Sequence, residues 1–271
     1  MKIAIGISTL NNGINQVWEK IKNIPDEFLI IISHQVTDKK KQYGDICKKN
    51  NVIIITTYCK GLSKSRNILL ATAFQKSVDY MIISDDDVAY LVNGLYELKD
   101  RIIEDRGKYH YQIQSCTQDG RLRKKYPLMR KRLNRLSAFN ISSIEMCLNV
   151  NQIQECNVWF DECFGLGARY KAGEEPIFVT DLMKTKNNII FIPVTITVHP
   201  IESSGKKIYN ETDALSDRSA IFVRCGGRYL GLLYIFIFWV KKFLFKKKCG
   251  RIKKIAALFI LLKGYSRYEY L

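Results

Sequence analysis

The chain has 271 residues, of which 47% are hydrophobic and 11% aromatic, and a formal net charge of +17. That apolar content excludes a disordered polyelectrolyte and provides for one large domain, alone or with an appendage. The excess of 43 Lys and Arg over 26 Asp and Glu calls for a polyanionic partner: nucleic acid, an anionic membrane surface or phosphorylated substrates.

The eight cysteines include no CxxC pair, which argues against a zinc site or a thioredoxin-like motif. The N-terminal stretch carries one Lys and an apolar run broken by Gly6 and Ser8. It reads as a first strand and not as a signal peptide, so the thiols are expected to sit reduced in a cytoplasm.

Lys2 to Ile7 predicts strand one, ending in the polar turn Ser8 to Gly13. Ile14, Val17, Trp18 and Ile21 then fall on one face of a helix closed by Pro25 and Asp26. Phe28 to Ser33 and Val52 to Thr57 read as buried strands. Between them Thr37 or Asp38 can cap a helix running to about Lys49. Gly61 marks a turn, Ser63 is the expected N-cap, and Leu70, Ala73, Phe74 and Val78 form the inner face of the next helix.

The apolar run Tyr80-Met81-Ile82-Ile83 follows, ending in Ser84 and three consecutive acids, Asp85, Asp86 and Asp87. Strands alternating with helices at this rhythm predict an α/β domain with a mostly parallel, Rossmann-like sheet. Ligands of such sheets bind beyond the carboxyl ends of the strands. Three adjacent carboxylates repel one another unless a cation sits among them, and hard divalent ions take oxygen ligands of this kind. A solvated acidic turn is the plain alternative.

After Tyr90 the rhythm changes. Leu91 to Glu104 predicts a helix, Tyr109 to Ser115 a strand, Gly120 to Arg135 a mobile basic loop, Leu136 to Ser143 a strand and Ile144 to Asn151 a short helix. Phe160 to Ala168 is a glycine-punctuated loop, and Gly173-Glu174-Glu175-Pro176 opens a helix with Pro in its first turn. Ile189 to Val198 is a last strand, expected at a sheet edge because Pro193 interrupts it. From Arg224 onward there are twelve Lys or Arg and one acid, Glu269. There the apolar runs Tyr229 to Val240 and Ile255 to Leu262 are each shorter than the about 20 residues that span a bilayer. Flanked by Lys clusters, they predict helices lying in a membrane interface.

Four stretches taken in order resemble family 2 glycosyltransferases of the GT-A fold, of the bacterial type that builds capsular and O-antigen polysaccharides. They are Gly61 to Asn67 (GLSKSRN), Ile83 to Val88 (ISDDDV), Phe160 to Glu175 (FDECFGLGARYKAGEE) and Val198-His199-Pro200. The resemblance covers residues 1–205 as a catalytic domain and leaves 206–271 as a basic, apolar, membrane-associating region. It implies an inverting, metal-dependent hexosyltransferase that uses a nucleotide-sugar, a UDP-sugar in the first instance. The implied acceptor is a saccharide or lipid-linked saccharide of cell-surface polysaccharide synthesis.

By this resemblance Asp85 and Asp87 match the DxD acids that hold Mn²⁺ or Mg²⁺ against the donor diphosphate. Asp85 also faces the ribose or sugar, Asp86 tunes the site, and His199 completes the metal coordination. Thr9, Leu10 and Asn11 resemble the uridine pocket, and Arg66 and Asn67 the element packed near the donor. The second strand ends Ser33-His34-Gln35 where the family carries an aspartate, so the base-binding residue stays open. Glu174-Glu175 stands at the family's ED motif, with Glu175 as general base; acids there also suit the helix dipole without any catalytic role. A single base implies direct displacement with inversion.

The implied place is the cytoplasm, peripheral on the inner face of the membrane. Two rival readings exist. A nucleic-acid-binding protein would use Arg121-Leu122-Arg123-Lys124-Lys125 but leaves the acidic triplet, the GEE and the apolar tail unexplained, so no nucleic-acid partner is expected. A sugar nucleotidyltransferase needs a glycine-rich, arginine-bearing loop after the first strand, which Ser8 to Gly13 is not.

Overall fold

The computed structural model describes residues 1–41, 43, 49–200, 208–245 and 251–268. Its centre is a nine-stranded sheet. The strands are β1 (Ile3–Leu10), β2 (Leu29–Gln35), β3 (Val52–Thr57), β4 (Tyr80–Asp85), β5 (Ala89–Tyr90), β6 (His110–Cys116), β7 (Lys131–Arg132), β8 (Met146–Asn149) and β9 (Ile189–Val198). They run in the order β3-β2-β1-β4-β8-β6-β9-β5, with β7 also on β9. β3, β2, β1 and β4 pair in parallel. β8 runs antiparallel between β4 and β6, and β6 is parallel to β9. β1, β2, β4, β6 and β9 therefore end at one edge of the sheet.

Helices cover both faces. Ile5, Ile7, Ile30 and Ile82 pack on one side with residues of α1 (Ile14–Ile21) and α3 (Val92–Glu104). Ala4, Ile31, Met81 and Ile83 pack on the other with α2 (Leu62–Gln75), α4 (Val150–Cys156) and α5 (Glu174–Lys184). Burial on both faces is why these strands read as unbroken apolar runs.

Several sequence expectations change. Gly61, not Ser63, takes the N-cap of α2; Ser63 lies inside the helix and donates to the Phe164 carbonyl at 2.6 Å. The helix expected between Thr37 and Lys49 falls in part outside the described residues, and 37–41 are not helical. Leu136 to Ser143 is not a strand, because Asn134 and Ser137 bond each other's backbone N–H groups and turn the chain. Ile144 to Asn151 is not a helix, because Met146 to Asn149 fills the gap between β4 and β6 before α4 begins. Short apolar runs carry this helix–strand ambiguity.

β9 is not an edge strand. Its register against β6 shifts between Gln112 and Gln114, and its outer partners β7 and β5 pair only at Ile190–Phe191 and Thr197–Val198. Pro193 sits at the bulge, where no ladder needs its missing N–H. The basic loop is anchored: Lys124 and Tyr126 reach the buried Glu145 at 2.6 and 2.8 Å, and Arg130 reaches Asp105 at 2.8 Å.

The C-terminal helices are α6 (Thr212–Trp239), continuing as a π-helical turn to Leu244, and α7 (Lys254–Arg267). By length and composition Thr212–Leu244 is long and apolar enough to cross a membrane, although neither run alone met that length. Its backbone breaks at Gly227, and its first half packs on the domain. Ala220, Ile221 and Cys225 join Phe164 and Ile177, and Arg224 pairs with Asp161 and Asp181 at 2.8 Å each. α7 lies along α6, with Ser219 Oγ bonded to the Leu261 carbonyl at 2.7 Å. Leu233, Phe236 and Ile237 of α6 and Ile255, Phe259 and Leu262 of α7 stay exposed at helical spacing.

Candidate active site

The candidate site lies at the sheet edge where β1, β2, β4, β6 and β9 end. Its hub is Arg66, on the second turn of α2 and only 1% exposed. One guanidinium nitrogen lies 3.1 Å from Glu174 and 3.4 Å from Glu175, and the other lies 3.4 Å from Asp85. The guanidinium carbon also lies 5.6 Å from the centre of the Phe160 ring. Burial opposes the charge on Arg66, but Asp85, Glu175 and Glu174 outweigh it and hold the group more firmly protonated than usual. The sequence-predicted acids of β4 and of α5 thus share one cation.

Gly173 caps α5 at φ 103°, a conformation that favours glycine. Glu174 and Glu175 occupy the first turn, where the helix dipole favours negative charge. Glu174 is buried, and Glu175 keeps 19% of its side chain exposed. Burial, then the neighbouring Glu174, pushes the Glu175 carboxyl up to about 7.

The three adjacent aspartates diverge. Asp85 meets Arg66 and, at 3.2 Å, the hydroxyl of Ser143. Asp86 turns back onto β1, accepting from Thr9 Oγ1 at 2.6 Å and Gln16 Nε2 at 3.1 Å. Its carboxylate lies over Gly13, where a Cβ would come within 2.0 Å of it. Burial and the flanking Asp87 and Asp85 raise the Asp86 pKa against those hydrogen bonds. Asp87 pairs with His199 Nε2 at 3.1 Å. That hydrogen bond lowers the Asp87 pKa and raises that of His199, against burial in both cases.

Among these side chains, Asp87 and His199 carry the donor types that could hold a divalent cation. Among the described residues Asp87 Oδ1 is buried without a hydrogen-bond partner, an acceptor left open beside an imidazole. No cluster of three or more His, Cys, Asp or Glu stands assembled for a metal among the described residues.

At the ends of β1 and β2, His34 Nε2 lies 3.0 Å from the Asn11 carbonyl oxygen, and the His34 ring packs edge-on to Tyr43 at 4.7 Å. The Asn11 side chain engages Thr37, and Leu10 is exposed. Asn67 stands apart from the carboxylate cluster. Its amide brackets the Phe160 backbone at 2.9 and 3.0 Å and reaches Glu162 at 3.1 Å.

Sequence reasoning missed Ser143, Gln16 and two arginines. Arg123 acts electrostatically on His199, and among the described residues its Nε is buried without a partner. Arg218, on α6, is partly buried and feels the charges of Glu175 and Glu174. Only the basic run hinted at Arg123; no local signal marked Arg218.

No protein family matches the chain in sequence, and no curated protein does. Solved structures do match. S. aureus TarS aligns at TM-score 0.59 and 15% identity over 92% of this chain and 46% of its own, so the chain spans about half of that protein. Residues 1–349 of TarS align at 0.61 and 14% over 98% and 80%. A mycobacterial protein aligns at 0.52 and 13% over 83% and 75%. The chain shares its fold with TarS. The mixed α/β sheet with helices on both faces matches TarS through the C-terminal helices as well.

Proposed function

We propose that this chain is an inverting glycosyltransferase that moves a sugar from a nucleotide-sugar, a UDP-sugar in the first instance, to a saccharide or lipid-linked saccharide acceptor. One observation carries the reading. In a fold shared with TarS, a single buried guanidinium joins the acid ending β4 to the two acids opening α5. The carboxylates that this reading assigns to the donor and to the acceptor thus lie at one sheet edge.

In this reading Thr9, Asn11 and His34 line the nucleoside end. Asp85 faces the ribose and sugar. Asp87 and His199 would hold Mn²⁺ or Mg²⁺, which would neutralise the leaving diphosphate as a Lewis acid. Asp86, tied to Thr9 and Gln16, holds the triplet against β1. Glu175, more exposed than Glu174 and with the higher proton affinity expected of a base near neutral pH, accepts the proton of the acceptor hydroxyl. The acceptor oxygen then bonds to the anomeric carbon as the bond to the diphosphate breaks, inverting that carbon. Glu174, bound to Arg66, keeps the turn in place.

The exposed apolar faces of α6 and α7, with Lys241, Lys242, Lys253, Lys254 and Lys263 around them, support peripheral binding to the anionic inner face of the cytoplasmic membrane. The test of activity is a donor screen on purified full-length protein with Mn²⁺, reading nucleotide release for each sugar nucleotide. One donor should stand out, and an α-linked donor should yield a β-linked product by NMR. No release from any donor, together with no UDP binding, would refute the proposal.

A further inference from the structure

The helix α6 does more than lead to the C-terminal surface. Asp217 accepts a hydrogen bond from the Lys171 N–H at 3.2 Å, and a Cβ on Gly173 would lie 2.3 Å from the side chain of Ile221. Residues 217–221 therefore rest on residues 171–173, directly before Glu174 and Glu175. Arg218, three residues before Ile221, shares its helical face. Glu175 and Glu174 are the acids whose charges act on it most, and Asp217 follows.

Two arginines on α6 contrast. Arg224 is bound by Asp161 and Asp181, with hydrogen bonds of 2.8 to 3.1 Å. Arg218 is withdrawn from water, which lowers its proton affinity, yet among the described residues its guanidinium makes no hydrogen bond or ion pair. Arg66 is already held by three carboxylates and cannot serve an incoming anion. A partly buried cation without a partner calls for an explanation, and a planar fork of N–H donors matches a phosphate or a carboxylate.

We infer that Arg218 binds an oxyanion carried by the acceptor, beside the hydroxyl that Glu175 deprotonates, so that the enzyme selects an anionic saccharide as acceptor. The inference rests on the glycosyl transfer proposed above. It makes Arg218 a specificity residue supplied by the C-terminal helices.

The test uses full-length protein saturated with UDP and Mn²⁺, which fills the donor subsite, and titrates three probes: glucose 6-phosphate, glucuronate and glucose. At least one anionic probe should bind about tenfold or more tighter than glucose, and Arg218→Gln should erase that preference. The phosphate and carboxylate arms tell which oxyanion is read. Arg218→Lys should keep part of the preference, UDP affinity should not move, and Arg218→Gln should melt no lower than wild type. The inference is overturned if wild type does not prefer the anionic probes or if Arg218→Gln keeps the preference. A drop in melting temperature of several degrees would also overturn it, making Arg218 a structural counter-ion of the glutamates. If wild type fails to bind UDP, the donor reading has failed on its own, and the same titrations without UDP still decide the role of Arg218.

Discussion

Replacing Arg66 with Met tests the hub directly. Met keeps an unbranched stem against Phe160 and removes the charge. Glu174, with 6% of its side chain exposed, then faces Glu175 without the cation that now sits 3.1 Å away. Removing one partner of a buried ion pair costs about 3–5 kcal/mol. Glu175 and Asp85, at 19% and 32% side-chain exposure, keep more water and add little. We therefore expect Arg66→Met to lose about 3–5 kcal/mol in urea unfolding near neutral pH.

The loss should shrink on acidification. Without Arg66, protons taken up by the folded state relieve the stranded carboxylates, beginning with Glu175, whose proton affinity is already raised by burial and by Glu174. Adding Glu174→Gln to Arg66→Met should recover part of the stability, because the buried charge is gone. A loss below about 1 kcal/mol, as for an exposed pair, would refute the reasoning. So would a loss that does not change with pH.

Glu175→Gln should reduce turnover by about 10²–10⁴ with little change in donor affinity, and a larger loss in Glu174→Gln would show that the base is the other carboxylate. Because Glu175 must be unprotonated and its pKa is pushed up to about 7, turnover should climb as pH rises through that value; a flat profile counts against it. The same shift means the folded chain holds a proton the unfolded chain releases, so its contribution to stability is lost as pH rises from the usual 4.5 to about 7. Asp87→Ala should abolish Mn²⁺-dependent UDP binding by calorimetry, and full turnover in EDTA would remove the metal from the mechanism. Asp in place of Leu233, Phe236 and Phe259 should release the protein from anionic vesicles in a sedimentation assay, while each nearby Lys contributes about 1 kcal/mol to binding. Unchanged binding would end the membrane proposal. Deletion from residue 222 is a poorer test, because it also removes Arg224 from Asp161 and Asp181.

Much of the sheet was legible because its central strands are buried on both faces, so the apolar runs of β1, β2 and β4 stand out without help from distant residues. The acids at the end of β4 and the start of α5 were legible for the same local reason: each follows or opens an element that periodicity marks. Where the reading failed, a local rule had a rival. Asn134 and Ser137 bond each other's backbone, Met146 to Asn149 suits a strand or a helix by pattern alone, and Pro193 sits at a bulge whose place depends on β6.

The sequence by itself determined the mixed α/β order, the buried faces and the positions of the acidic groups, because those follow from side-chain periodicity over a few residues. Only the tertiary structure decided which charges meet. Asp85, Asp86 and Asp87 are consecutive, yet their partners are Arg66 and Ser143, Thr9 and Gln16, and His199. Arg66 joins Glu174 across 108 residues, and Arg218 feels the charges of the same turn from a helix that reads as part of a separate tail. A charge is paired by what packing brings within a few ångströms, and no spacing along the chain encodes that distance.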